Sequence, residues 1–117
     1  MATIRDLVGA LRHREGVDAA VVLGRDGLLI DSQTTGSVNA ESVAALVPSI
    51  VAAAEEFGAT DSRGALTTAI LEYEQGIAIV ALLSTDALLL VLAQPSANVG
   101  RLLFELRRNR ENISSLV

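Results

Sequence analysis

The stretch that decides the fold is GIAIVALLSTDALLLVLA, residues 76–93. It contains two apolar runs, Ile77–Leu83 and Ala87–Ala93, separated only by the tripeptide 84–86. Short runs rich in Ile, Val and Leu predict strands, and so short a connection requires the two strands to be antiparallel. Because neither run alternates apolar with polar residues, both strands need cover on both faces. We therefore expect two central strands of a sheet that has helices on both sides.

The preceding segment, Ala65–Tyr73, predicts a third strand, joined to the central pair by the short turn 74–76. It carries Thr67, Thr68 and Glu72 and is the most polar of the three strands, which is typical of a sheet edge. An edge strand exposes unpaired amides, so it must be blunted or must pair with another strand. We predict that the three strands form an antiparallel meander.

The first part of the chain predicts a helix followed by a β-hairpin. Apolar residues recur at helical spacing until Gly16. The turn 24–27 then separates two short apolar strands, Ala19–Leu23 and Leu28–Ile30, and its Asp-Gly pair is a strong hairpin signal. The polar segment 31–38 is predicted to be a loop.

The segment from Ala40 to Phe57 predicts the longest helix, with Asn39 as its N-cap. At about 100° per residue, the large apolar side chains fall on one wide stripe. We expect this stripe to be buried; its members are Val43, Leu46, Val47, Ile50, Val51, Ala54 and Phe57. Pro48 removes one backbone hydrogen bond, which predicts a kink or a break, and we favour a kink because the stripe continues in phase.

The other side of this helix carries small residues, with Glu55 towards one end. We call it the small-residue face; its members are Ala44, Ala45, Pro48, Ser49, Ala52 and Glu55. Small side chains let another backbone approach closely, so we predict that this face contacts a partner or a second copy of the chain. The alternative is a solvated face, since alanine favours helices in any environment.

A last helix is predicted from about Ala97 to Asn112. Phe104 falls off its buried stripe, between Arg101 and Arg108. An exposed aromatic side chain flanked by arginines can anchor a partner, although isolated apolar residues on a surface are ordinary.

The order helix, two strands, helix, three strands, helix predicts a single domain over residues 1–117. The terminal helices fit on one face of the sheet and the middle helix on the other. One helix covers about 10 Å of width, whereas five strands at about 4.8 Å each span roughly twice that. We therefore expect a second copy to supply a second middle helix, which predicts a dimer.

Composition excludes many functions. The net charge is −5, which argues against binding of nucleic acid or of an anionic membrane. All nine basic residues are arginines, so Schiff-base chemistry and a lysine-containing phosphate loop are excluded. The chain has no Cys and one His, which leaves no metal centre of the usual kinds. The longest apolar region, 77–93, is interrupted. We expect a cytoplasmic protein without membrane insertion, cofactor, metal or catalytic residues.

This order of elements resembles the roadblock family, named for a dynein light chain, and within it the bacterial class of mutual gliding-motility B proteins. The matching landmarks are the hairpin Gly24–Ile30, the small-residue helix around Ala44–Leu46, and the closing segment Ala97–Leu102. The resemblance covers nearly the whole chain, and it rests on the order and spacing of these landmarks. Pro48 departs from the family pattern.

The resemblance implies an α/β (α+β) fold of roadblock/profilin-like type, α-β-β-α-β-β-β-α. Its five-stranded, mainly antiparallel sheet would have the order 2-1-5-4-3, with two helices on one face and one on the other. It also implies a homodimer whose third strands pair across the two-fold axis, with the middle helices side by side. The residues of that edge strand would be Leu66, Thr67, Thr68, Ala69, Ile70 and Leu71.

The resemblance further implies a module without chemistry of its own that binds a Ras-like small GTPase and stimulates or holds it. Arg63, after the middle helix, is the one arginine expected near that helix and the candidate for an arginine supplied in trans. The alternatives are a passive scaffold in a signalling or motor complex and, from another class, a small-molecule sensor. The sequence places no convergent polar groups and few aromatic residues to line a sensor pocket.

Overall fold

Five antiparallel strands form one sheet, and helices lie on both of its faces. The computed structural model describes residues 2–117. In chain order the elements are α1 (Ile4–Arg12), β1 (Val17–Gly24), β2 (Leu29–Thr34), α2 (Ala40–Thr60), β3 (Thr68–Tyr73), β4 (Gly76–Leu82), β5 (Ala87–Ala93), α3 (Val99–Arg108) and α4 (Arg110–Ser114). The strand order is β2-β1-β5-β4-β3, which confirms the predicted topology.

The sheet has a hydrophobic core on each face because its central strands are apolar on both sides. In β5, Leu89 points to one core and Leu88 and Leu90 to the other, and all three are buried. The first core includes residues of α1, α3 and α4, namely Val8, Leu11, Leu102, Leu106 and Ile113. The second includes the buried residues of α2, namely Ala44, Val47 and Val51. As predicted, the terminal helices share one face and the middle helix has the other.

Helix α2 covers only part of its face, because it lies over β1 and β2. The centre of β4 on this face is also buried, with Ala78 and Val80 in the core, so the incompletely covered part is β3 with the ends of β4 and β5. Its outer apolar side chains are only partly buried; they are Leu66, Ala69, Leu71, Leu82 and Leu92. The predicted shortage of cover on the α2 side is therefore present in the single chain.

Two strand boundaries differ from the prediction by three residues or more. Strand β2 continues to Thr34, so half of the predicted loop 31–38 is strand; β1 offers backbone partners there, and an edge strand tolerates polar side chains. Strand β3 begins at Thr68 and not at Ala65, which leaves Leu66 and Thr67 outside the strand. The Thr67 carbonyl still accepts a hydrogen bond from the amide of Leu82 at 3.0 Å.

The helices also differ in extent. Helix α2 is continuous through Pro48, so it is not broken there, and it runs on past Gly58 to Thr60. The last predicted helix is divided at Asn109, which caps the end of α3 and precedes the short α4. Asn109 favours this interruption because its side-chain amide donates to the Glu105 carbonyl at 2.9 Å.

The β1–β2 turn packs closely on α2, and Gly27 makes this approach possible. Its φ of +86° lies in the left-handed region that favours glycine. A Cβ built on Gly27 would lie 3.4 Å from Cγ of Pro48 and 3.5 Å from Cα of Ala45. The hairpin therefore occupies part of the small-residue face within the same chain.

Replacing Gly27 with Ala tests this contact. We expect Gly27→Ala to lower the free energy of unfolding by about 1 kcal/mol, because an L side chain is strained at this positive φ and the hairpin cannot relax without leaving the helix. The matched control is Gly100→Ala in the first turn of α3, where the nearest atom to the new Cβ is Oδ1 of Asn98 at 3.6 Å. That variant should be neutral or stabilised by about 0.4–1 kcal/mol. Equal effects in urea denaturation would contradict the left-handed conformation of Gly27 on which the approach of the hairpin depends.

Candidate functional site

The small-residue face is divided between contacts within the chain and solvent. Ala44 is fully buried against the sheet, so it cannot belong to an outward-facing surface; this corrects its assignment. Pro48 is half-buried beside the β1–β2 turn. Ala45, Ser49 and Ala52 are exposed. Helix α2 is rotated about its axis towards the hairpin, and this rotation buries Ala44 in the core.

Glu55 of the same face is held by Arg25 of the β1–β2 turn. Nη1 and Nη2 of Arg25 donate to the two carboxylate oxygens of Glu55 at 2.9 and 3.0 Å. Nε of Arg25 donates to the carbonyl of Thr85 at 2.7 Å, in the turn between β4 and β5. One side chain thus connects α2 to two turns of the sheet, and the planar guanidinium suits this bidentate pairing.

This pair corrects the expectation that Arg63 is the one arginine near α2. Arg25 stands 30 positions before Glu55, and the sequence showed it only as a polar residue in a turn. The hydrogen bonds from Arg25 lower the pKa of Glu55, and the same bonds raise the pKa of Arg25.

A second surface of α2 is apolar and exposed. We call it the apolar strip, and it consists of the exposed Leu46, Ala53 and Phe57 with the half-buried Ile50. The exposed fractions of Leu46 and Phe57 are 67% and 76%, although both were predicted to be buried. The prediction was wrong for these two because the stripe is wider than the contact with the sheet, and burial is centred on Val47 and Val51.

The apolar strip adjoins the incompletely covered half of the sheet. The helix lies over β1 and β2, and the hairpin turn occupies the flank that carries Ala45 and Pro48. At about 100° per residue, the strip lies on the opposite flank, towards β4 and β3. The strip and the partly buried apolar residues of β3 and β4 therefore lie on the same side of the molecule.

Strand β3 ends this surface as an edge of the sheet. It pairs with β4 only, so its outer backbone groups have no strand partner within residues 2–117. Ala69 and Leu71 point to the α2 side, and Ile70 points to the other face with 46% of its surface exposed. Thr68 is half-buried at the start of the strand.

Arg63 lies in the loop after α2 and is mostly exposed. Its Nε donates to the carboxylate of Asp61, and its amide donates to the Gly58 carbonyl at 2.9 Å. Ser62 between them has a positive φ of 54°, which bends the chain sharply away from the helix. The loop therefore presents Arg63 near the end of α2 with part of its charge already paired.

The structure also bears on metal binding and on membrane insertion. Among residues 2–117, no three His, Cys, Asp or Glu side chains come together in an arrangement that could hold a metal ion. By length and composition alone, helix α2 could cross a membrane, since an 18-residue window in it has a mean hydropathy of 1.3. One such helix is weak evidence for a span, and here Ala44, Val47 and Val51 pack against the sheet.

The Arg25–Glu55 pair predicts a pH-dependent contribution to stability. Because the pKa of Glu55 is lowered in the folded chain, the pair stabilises fully above the ordinary value of 4.5. This contribution is lost as the pH falls through the lower folded-state value. We expect Glu55→Gln to lower the melting temperature near neutral pH, and the difference from the original chain to shrink in acid.

Glu56→Gln is the control, since the Glu56 side chain makes no ion pair in the described part of the chain. Its melting temperature should follow that of the original chain across the same pH range. A Glu55→Gln deficit that is constant with pH would show that the pair does not carry this dependence.

Comparison with known proteins agrees with this architecture. The family model described as Roadblock/LC7 domain matches residues 3–93. The uncharacterized protein MJ1340 of Methanocaldococcus jannaschii is 33% identical over 106 residues, which are 91% of this chain and 92% of that protein. The Roadblock/LC7 domain structure from Streptomyces avermitilis has a TM-score of 0.84 and 20% identity, over 96% of this chain and 95% of that one. The structure of MglB with tetrameric arrangement has a TM-score of 0.86 and 16% identity, over 96% and 85%. The hairpin, the middle helix and the strand meander all lie within the matched residues, and the chain therefore belongs to the Roadblock/LC7 domain family.

Proposed function

We propose that this chain forms a homodimer that binds a Ras-like small GTPase and regulates it, with no catalysis by the chain alone. The observation that carries the proposal is the incomplete burial of apolar side chains on the α2 side of the sheet, in the apolar strip and at β3 with the ends of β4 and β5. A lone subunit would leave these side chains partly in water, whereas a second copy buries them. The fold shared with MglB, whose solved structure has a tetrameric arrangement, is consistent with self-association.

In the proposed dimer, the β3 strands of two subunits pair at the two-fold axis and extend the sheet. Residues Thr68–Leu71 supply the edge, and Leu66 and Thr67 precede it as the chain enters the strand. Such pairing satisfies the unpaired backbone groups of the edge. The two α2 helices then lie side by side, and their apolar strips cover the inner half of each sheet.

The outer surface of the paired helices is the proposed contact for the GTPase. Ala45, Ser49 and Ala52 are exposed and small, so a switch segment can approach the helix backbone closely. The Arg25–Glu55 pair holds the neighbouring hairpin and makes the platform rigid. Regulation would follow if this platform binds one switch conformation of the GTPase better than the others. Such a role places the protein in the cytoplasm, with its GTPase.

Arg63 is the candidate for an arginine finger, and its contacts argue against that role. A finger needs a free guanidinium to stabilise the charge that develops during hydrolysis. The guanidinium of Arg63 is paired with Asp61, two residues away. We propose that any stimulation of hydrolysis comes from ordering the GTPase's own groups.

The dimer contact is tested by Ala53→Arg, which places a charge in the middle of the apolar strip. We expect this variant to sediment as a monomer where the original chain sediments as a dimer, because an unpaired charge cannot be buried in an apolar contact. The matched control is Ala52→Arg, which makes the same change one position away on the small-residue face. It should remain dimeric and lose binding to the GTPase.

The reverse result would relocate the interface. If Ala52→Arg gives monomers and Ala53→Arg does not, the small-residue face is the dimer contact and the apolar strip is not. If the original chain is itself a monomer in analytical ultracentrifugation, the proposed dimer is wrong.

The role of Arg63 is tested by Arg63→Ala in single-turnover GTP hydrolysis with the Ras-like GTPase of the same genome. We expect the hydrolysis rate to change little. Loss of a true arginine finger would lower it by about 10³-fold or more. A loss of that size with unchanged complex formation would show that Arg63 acts in trans. Binding without any change in the nucleotide cycle would instead favour the passive scaffold.

A further inference from the structure

A second surface lies on the opposite side of the sheet, between α1 and the C-terminal helices. A groove of about 370 Å³ runs between these helices. Its apolar lining comes from α1, α3 and α4 and from the residues after α4, and it includes Leu7, Leu11, Leu106, Ile113 and Leu116. We call it the α1–α3 groove. No residue of the proposed dimer or GTPase contacts lines it.

One lip of this groove is cationic in an otherwise acidic chain. Arg14 and Glu105 line the groove and also an adjoining cavity of about 430 Å³, together with Arg101, Phe104 and Arg108. Arg14 bonds one oxygen of Glu105 at 2.8 Å, and Arg101 lies 3.4 Å from the other. Two guanidinium groups pair with this carboxylate, and Arg108 lines the same cavity without such a pair, so the lining of this cavity carries three arginines and one acid. We call this patch the arginine lip.

Phe104 gives the arginine lip an apolar anchor. Its side chain is 61% exposed beside Arg101 and Arg108. The sequence pattern alone did not separate this arrangement from an ordinary exposed residue. In the structure Phe104 is not isolated, because it borders a cavity that it shares with Arg101 and Arg108 of α3 and with Arg14 from the turn after α1.

We propose that the α1–α3 groove and the arginine lip bind an acidic, amphipathic segment of another protein. The apolar side chains of that segment would enter the groove, and its carboxylates would meet Arg14, Arg101 and Arg108. The positive charge of the arginine lip favours an acidic segment. The chain as a whole has a net charge of −5 and repels acidic partners at other parts of its surface. Among the residues that line the arginine lip, Glu105 is the one acid, and it pairs with arginine. Two further acids lie close by: Asp6 lines the groove, and Glu15 lines the adjoining cavity beside Arg14.

This site is independent of the proposed function at α2. The α1–α3 groove and the apolar strip lie on opposite faces of one sheet, so both can be occupied together. The domain would then connect two proteins, one on each face. The Ala53→Arg variant, which removes the α2 contact, is expected to retain binding at the groove.

The probe is a short fluorescein-labelled peptide of leucine and glutamate at helical spacing, compared with a version that carries lysine in place of every glutamate. In fluorescence anisotropy we expect the glutamate peptide to bind, and its affinity to fall with added salt. Arg108→Glu and Phe104→Ala should each weaken it by about fivefold or more. Arg5→Glu is the matched control, because Arg5 is exposed on α1 but pairs with Asp31 at 3.3 Å, away from the groove.

Amide chemical shifts locate the peptide, and we expect changes in α1, α3 and α4. The proposal is overturned if the lysine peptide binds equally well, or if Arg5→Glu and Arg108→Glu have equal effects. It is overturned as well if the shifts change in α2. If sodium decanoate binds the groove and the glutamate peptide does not, the site takes a fatty-acid-like ligand and the proposal is wrong.

Discussion

The structure depends on the unequal cover of a sheet that is apolar on both faces. Three helices share the face that carries Leu89, whereas a single helix lies on the face that carries Leu88 and Leu90. A sheet five strands wide is about twice as broad as one helix. Apolar surface is therefore left in water on the α2 side, and burial of such surface is the main force for association. The position of α2 decides where this surface lies.

That position is set by contacts between α2 and the β1–β2 hairpin. Gly27 lets the turn approach the helix backbone, and Arg25 reaches along the helix to Glu55. Together they hold α2 over β1 and β2 rather than over the centre of the sheet. The uncovered half is consequently the one that ends in the free edge of β3. The free edge and the partly buried apolar residues therefore lie on the same side of the sheet, which is where the proposed dimer contact is placed.

The two sides of the sheet also differ in charge. Six of the nine arginines belong to the end of α1 or to the C-terminal helices, so the α1–α3 side has a cationic margin. The exposed side of α2 carries acids, among them Glu41 and Glu56. The two faces therefore differ in both shape and charge, and they fit partners of different chemistry. This division suits an adaptor, because binding on one face leaves the other accessible.

The sequence by itself determined the number, order and type of the main elements, the central strands and the edge strand. It could do so because apolar periodicity and turn residues act over a few neighbouring positions. The sequence also indicated that the face with only the middle helix needs more cover than that helix supplies. It did not determine how α2 is rotated, so it misassigned Ala44 as outward and Leu46 and Phe57 as buried. Only the tertiary structure decided this, because the rotation depends on Gly27 and Arg25, which are distant in sequence from the helix residues that they contact. The arginine lip likewise joins Arg14 to Arg101 and Arg108, which lie far apart along the chain and become neighbours only when α1 and α3 pack on the same face.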